Sequence, residues 1–137
     1  MKLEMSRKTE LALAALQELV RCEGRVKGAD LATALGTTRH YLPQVVRPLV
    51  SRGWVESDRG PTGGYQLAAD PADITLFEFI EAVEGPIEEG RCVLRGKPCP
   101  TVDLCALHQP WLRAREALFA ELRRITIADV PIEKEAA

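Results

Sequence analysis

The stretch VKGADLATALGTTRHYLPQVVRPLVSRGWVESDRGPTGGYQL, Val26 to Leu67, constrains the fold more than any other part of the chain. Residues 29–35 place Leu31 and Leu35 on one helical face, and Gly36-Thr37 then breaks the helix in a tight turn. Thr38 is positioned to cap a second helix running to about Arg52, with Leu42, Val45, Val46, Leu49 and Val50 on its apolar side. Two short helices across a glycine-containing turn make a helix-turn-helix. Pro43 falls in or just after the first turn, where its missing N–H costs little; Pro48 lies deeper and should remove one helical bond and bend the helix. Trp54-Val55-Glu56-Ser57 then reads as a strand and Tyr65-Gln66-Leu67 as its partner, joined by the glycine-rich turn DRGPTGG. A hairpin directly after the second helix is a wing. The expected fold class is therefore mainly α with a small β wing.

The polar residues of this segment suit double-stranded DNA. Thr37, Thr38, Arg39, His40, Tyr41, Gln44 and Arg47 cluster at the turn and on the polar side of the second helix. Hydroxyl, amide and guanidinium groups there are what base edges and phosphates require. In the wing, Gly60, Gly63 and Gly64 with Thr62 let the backbone come close to a phosphate or a narrow groove, and Arg59 suits minor-groove insertion.

Helices flank this head. Ser6 caps a first helix to Arg21, with Leu11, Ala14, Ala15, Leu19 and Cys22 at helical spacing and Leu13, Leu16 and Val20 widening the stripe. Cys22 on that face reads as an inert core thiol. After Pro71, residues 75–84 form another amphipathic helix with Leu76, Phe79, Ile80 and Val83 inward, stopped by Gly85 and followed by Pro86 and an acidic EEG. From about Leu104 a long helix runs to Arg124, with Trp111, Ala114, Leu118, Leu122 and Ile125 in one stripe beside Leu112 and Phe119. Such a wide stripe on a terminal helix needs a partner, and a two-fold mate suits a winged head that reads paired half-sites. The expected organisation is a winged helix-turn-helix head over residues 1–70, then a region of loop and C-terminal dimerisation helix over residues 71–137.

Between these two helices lies RCVLRGKPCPTVDLCALH, which holds three of the four cysteines. Six residues separate Cys92 from Cys99, five separate Cys99 from Cys105, and two more precede His108. Gly96, Pro98 and Pro100 keep the first part out of helix. An irregular loop presenting three thiols looks like a ligand cradle for a metal centre, with an iron–sulfur cluster as the expected occupant. Arg91, Arg95 and Lys97 stand ready to offset thiolate charge, or else form a solvated loop.

The N-terminal MKLEMSRKTELAL has no apolar run of signal-peptide type and no window approaches membrane-spanning length, so a cytoplasmic chain with no membrane partner is expected. Reducing conditions there turn four cysteines toward metal or redox chemistry rather than structural disulfides. Residues 1–69 carry ten Lys/Arg against seven Asp/Glu, and residues 70–137 carry eight against thirteen, a mild asymmetry that suits a DNA-reading head with a separate regulatory part. No serine, carboxylate pair or phosphate loop makes a catalytic constellation, so an enzyme is not expected.

Taken together, YLPQVVRPLVSRGWV, the wing RGPTGGYQL, ITLFEFIEAVEG, the three-cysteine loop and the long final helix resemble the iron–sulfur winged-helix transcription regulators typified by IscR, NsrR and RirA. The resemblance runs from the first helix to about Val130. It implies a homodimeric DNA-binding regulator whose promoter affinity responds to an iron–sulfur cluster, members sensing cluster supply, iron, nitric oxide or redox state. By position Cys92, Cys99 and Cys105 would be the thiolates; the first gap is one residue longer than in cluster-bearing members. Cys105-Ala-Leu-His108 resembles the IscR type, where a histidine completes a 2Fe–2S site. Thr9-Glu10-Leu11-Ala12-Leu13 resembles the NsrR-type start, where an acidic residue of the first helix ligates a 4Fe–4S cluster across the dimer, so Glu10 stands as the alternative to His108.

The leading expectation is a DNA-binding transcriptional regulator, repressor or activator, controlled by a cluster. The alternative is a winged-helix regulator without a cluster that uses its thiols for zinc or a redox disulfide. A small electron-transfer protein would leave the head unexplained and lacks both ferredoxin spacing and CxxC.

Overall fold

The computed structural model describes residues 4–86, 91–100 and 105–132. Among them, five α-helices and one two-stranded sheet follow in the order α1 (Arg7–Arg21), α2 (Gly28–Leu35), α3 (Leu42–Ser51), β1 (Val55–Asp58), β2 (Gly64–Leu67), α4 (Leu76–Glu84) and α5 (His108–Leu122). Short 3-10 turns occupy Pro71–Asp73 and Ile127–Asp129. This is the winged-helix architecture expected of the sequence.

Ser6 caps α1, its hydroxyl accepting from the Thr9 N–H at 3.3 Å. The helix buries Leu11, Ala12, Ala15, Leu16 and Leu19. Val20, expected on the same stripe, is 38% exposed. Cys22 is no core thiol either: it is half-buried at the C-cap, and its Sγ donates to Glu18 Oε1 at 3.4 Å.

Gly36 ends α2 in the left-handed region, φ 67°, where its N–H reaches back to the carbonyls of Ala32 and Thr33. Proline then sets where α3 begins. The Leu42 N–H donates to the Thr38 carbonyl at 3.0 Å, but Pro43 has no N–H to return to the Arg39 carbonyl, so the ladder is interrupted there. Instead residues 38–41 form a turn, in which Thr38 Oγ1 accepts from the Tyr41 N–H at 3.1 Å, and α3 starts at Leu42 with Pro43 in its first two positions. Thr38, Arg39, His40 and Tyr41 therefore lie on the turn ahead of the helix rather than in its first turn. The helix continues through Pro48 to Ser51.

β1 pairs antiparallel with β2, Val55 opposite Leu67 and Asp58 opposite Gly64. Val26 widens this ribbon: its N–H donates to the Tyr65 carbonyl at 2.8 Å and its carbonyl accepts from the Tyr65 N–H at 2.7 Å. Gly64 has φ 140°, and a Cβ there would sit 2.3 Å from the Val26 carbonyl oxygen. A Cβ on Gly63 would sit 2.3 Å from the Asp58 carbonyl oxygen. Both glycines are demanded by the fold of the wing itself.

One apolar core joins Leu16, Leu31, Leu42, Val45, Leu49, Val55, Ile74 and Phe79, and it includes residues on both sides of position 70. Burying each such side chain contributes roughly 1.5–3 kcal/mol. Thr75 caps α4 in a reciprocal box with Glu78. Phe79 and Val83 carry α4 into the core. The segment after α5 returns to it: the Leu76 N–H donates to the Ile125 carbonyl at 2.8 Å and the Ile127 N–H to the Ile74 carbonyl at 2.9 Å.

The long helix begins at His108, and Leu104, its expected start, lies outside the described residues, as does the acidic EEG. Pro110 gives the reason. Deep inside a longer helix its ring would meet the carbonyl of Ala106, whereas as the third helical residue it is tolerated. No residue of α5 is buried, and Leu118 is 48% exposed.

Candidate thiol site and nucleic-acid interface

The cysteine loop closes on itself before it meets α5. The Cys92 N–H donates to the Lys97 carbonyl at 2.7 Å, the Gly96 N–H to the Cys92 carbonyl at 2.8 Å, and Arg91 Nε to the Gly96 carbonyl at 3.1 Å. This small hairpin buries Cys92, 5% exposed. A turn closed by the His108 N–H on the Cys105 carbonyl, 3.0 Å, sets Cys105 at the threshold of α5. Cys92 Sγ and Cys105 Sγ are 3.6 Å apart. Cys92, Cys99, Cys105 and His108 line one pocket, completed by Arg91, Val93, Trp111, Leu112 and Arg115.

The α5 contribution follows from helical spacing: His108, Trp111, Leu112 and Arg115 fall on one face. Trp111 and Leu112, expected to serve only the dimer stripe, wall the thiol pocket, and Arg115 was not anticipated at all. The spacing from His108 was the signal that could have found them.

Backbone N–H groups of Arg95 and then Leu94, the Cys105 thiol and the Arg95 charge hold the Cys92 thiol below its ordinary pKa. Burial, then the charges of Cys92 and Cys105, push Cys99 up; Arg115 counteracts them. Of the three loop cations, Arg95 thus bears directly on a thiol. Burial, followed by Glu18, also pushes Cys22 up, in keeping with an inert thiol.

The donor set suits an iron–sulfur group, which thiolates ordinarily hold with histidine as an occasional substitute. Two sulfurs on one tetrahedral metal at about 2.3 Å lie roughly 3.8 Å apart; Cys92 and Cys105 stand close to that. Among the described residues, no three Cys, His, Asp or Glu side chains surround a point as ligands of one metal ion would. The pocket is also tight, about 10 Å³ of free volume, room for a single water. Glu10 does not line it; its carboxylate pairs with Arg7 at 3.1 Å on the exposed side of α1.

The second candidate surface lies at the head. Arg39, His40, Gln44 and Arg47 are exposed, as are Arg59, Gly60 and Thr62 at the wing tip. Thr37 and Tyr41 are half-buried, Tyr41 against the core, and Gly63 is buried. An open cleft of about 470 Å³ separates the wing from the turn ahead of α3, with Lys27, Arg39 and Arg59 along it. Lys27 was not singled out from the sequence. It stands at the start of α2, where no side chain caps the helix.

Residues 5–132 match the Rrf2 family, described as iron-dependent transcriptional regulator. The HTH-type transcriptional regulator IscR of Klebsiella pneumoniae (strain 342) is 35% identical over 112 residues, 82% of this chain and 68% of that protein. The chain spans about two thirds of the length of the curated relatives it matches, 65–68%. CymR (YrzC), the global cysteine regulator of B. subtilis, superposes with a TM-score of 0.74 at 32% identity, covering 93% of this chain and 95% of CymR. T. potens IscR superposes with a TM-score of 0.70 at 29% identity, covering 94% of this chain and 86% of that one. The described residues include no helix long and apolar enough to cross a membrane. With the match running through head, thiol loop and final helix alike, the chain belongs to the Rrf2 family and is a transcriptional regulator, not an enzyme.

Proposed function

We propose that this chain grips double-stranded operator DNA as a homodimer, and that its affinity is set by an iron–sulfur cluster held by Cys92, Cys99, Cys105 and His108. The convergence of those four side chains in one pocket carries the reading. His108 is preferred to Glu10 because it lies in the pocket of its own chain, whereas Glu10 would reach it only from a second copy. When bound, the cluster supplies a redox-sensitive, oxidant-labile charge.

The chain's own residues do the rest. Arg95 and the N–H groups around it favour the ionised Cys92 that ligation needs. Residues 1–70 serve as the reading head: Arg39, Arg47 and Arg59 contact phosphates or grooves, with Thr37, Thr38, His40, Tyr41, Gln44 and the wing residues Gly60, Thr62, Gly63 and Gly64 shaping the surface. Residues 71–137 serve as the sensing and pairing part, with the uncovered side of α5 against its mate.

The test is fluorescence anisotropy on a duplex selected by the wild-type chain from a random-sequence library. Anaerobically loaded and cluster-free protein should differ in Kd by at least about fivefold at matched salt. Equal affinities contradict cluster control.

The 3.6 Å separation of Cys92 and Cys105 favours a second reading, a disulfide switch. Each thiol would lose a proton and together two electrons to a hydroperoxide; the S–S bond forms as the O–O bond breaks, with water and an alcohol leaving (two waters from hydrogen peroxide). Peroxide treatment of cluster-free protein should then lower the mass by two hydrogens, and Cys105→Ser should abolish that change.

A further inference from the structure

The linker between α1 and α2 runs extended along the wing. Val26 makes its two hydrogen bonds with Tyr65 and packs against the apolar core. Side chains alternate along an extended chain, so Arg25 and Lys27 leave the linker on the side opposite Val26. Arg25 forms an ion pair with Asp58, the last residue of β1, and also donates to Gln66 Oε1 of β2 at 3.4 Å. Lys27 lines the cleft of about 470 Å³ between the wing and the turn ahead of α3. The linker passes so close to the wing that a Cβ on Gly64 would stand 3.2 Å from the Lys27 Cα.

The charges around that cleft are unequal. Lys27, Arg39 and Arg59 line it from three separate segments, and all three are exposed. Among the described residues, no carboxylate pairs with any of them. Asp58 is the one acid in the lining, and Arg25, standing outside the cleft, takes up its charge. Three like charges around one opening repel one another, and a strand of phosphates laid between them relieves that repulsion.

We propose that the linker is a third part of the DNA-gripping surface, beside the helix-turn-helix and the wing. Lys27 contacts a backbone phosphate in the cleft. Arg25 touches no phosphate; it is a positioning residue that holds Asp58 and screens its charge from the same strand. A phosphate contact carries no sequence information, so Lys27 serves specific and non-specific duplexes alike. A bare carboxylate about 6 Å from a phosphate lowers affinity roughly two- to threefold in water, which is the effect that Arg25 prevents. The proposal rests on the reading of the head as the DNA-binding part.

The experiment compares wild type, Lys27→Gln, Arg25→Gln, Asp58→Asn and the double variant Arg25→Gln/Asp58→Asn. Each is taken in the tighter-binding form of the protein, loaded or cluster-free. Anisotropy on the selected duplex and on a random-sequence duplex is followed from about 50 to 200 mM salt. Lys27→Gln should weaken both duplexes by the same factor and reduce the salt slope by about one. Arg25→Gln should weaken both roughly two- to threefold, and adding Asp58→Asn should bring binding back to the wild-type level or above it. Asp58→Asn alone should bind at least as tightly as wild type. A Lys27→Gln protein with wild-type affinity and slope overturns the proposal, as does an Arg25→Gln protein that binds as wild type does. A double variant as weak as Arg25→Gln overturns it too, since Arg25 would then act on DNA directly or on the shape of the wing. So does a weakened Asp58→Asn, which would make the ion pair a support of the wing alone. A wild type that binds neither duplex overturns the reading of the head itself, and the proposal with it.

Discussion

The Thr9 hydroxyl, fully buried, donates to Glu84 Oε1 at 2.8 Å and ties the start of α1 to the end of α4. The Ser6 N–H donates to the same oxygen at 2.9 Å. Thr9→Val keeps the shape and loses the donor, so a loss of about 1 kcal/mol is expected in urea denaturation at neutral pH.

The same carboxylate makes stability depend on acidity. The Ser6 backbone N–H, then the hydroxyls of Thr9 and Ser6, hold the Glu84 carboxyl below its ordinary range against a smaller opposing effect of burial. A depressed folded pKa contributes stability that is complete above the unfolded value, roughly 4.3, and is lost as pH falls through the folded one. Glu84→Gln should therefore be less stable than wild type near pH 7, and the gap should close in acid. Denaturation midpoints of both proteins across that range check it; a gap that widens in acid contradicts the assignment.

In the wing, two adjacent roles should separate. Gly64→Ala forces a Cβ against the Val26 carbonyl at a left-handed φ, and a loss of more than about 1–3 kcal/mol is expected from that strain. Arg59→Ala should leave the denaturation midpoint alone. It should instead weaken specific and non-specific DNA alike and reduce the salt slope of binding by about one. Unchanged affinity for both at matched salt removes Arg59 from the interface.

Leu118 is 48% exposed on a helix that buries none of its residues in its own chain. Leu118→Glu should leave the helical circular dichroism intact and shift sedimentation from dimer toward monomer. A variant that sediments as wild type does would remove this side of α5 from the pairing surface.

Periodicity and turn chemistry made the winged head legible, because Leu31, Val45, Val46, Leu49 and Val55 alternate as their elements require and Gly36 has one conformational job. The crowding of three cysteines and His108 into one short stretch marked that segment, and all four side chains line one pocket. Helix starts were less legible: stripe patterns extend through Pro43 and Pro110, but neither proline has an N–H to continue the ladder, and the helices begin at Leu42 and His108. Gly63 and Gly64 read as room for DNA, whereas contacts with Asp58 and Val26, one of them distant in sequence, already demand them. The wall of the thiol pocket was hidden for a related reason. Trp111 and Leu112 satisfy an apolar stripe whichever surface they cover, and only the placement of α5 against the loop shows that they and Arg115 face the thiols.

Anaerobic native mass spectrometry of wild type, His108→Ala and Glu10→Ala after reconstitution with ferrous iron and sulfide decides whether these thiols hold a cluster and whether His108 completes it. The expected outcome is a wild-type dimer that retains iron and sulfide on each chain, a Glu10→Ala dimer that retains them equally, and a His108→Ala protein that loses them. A wild type that binds neither, or a cluster lost with Glu10→Ala and kept with His108→Ala, would contradict it.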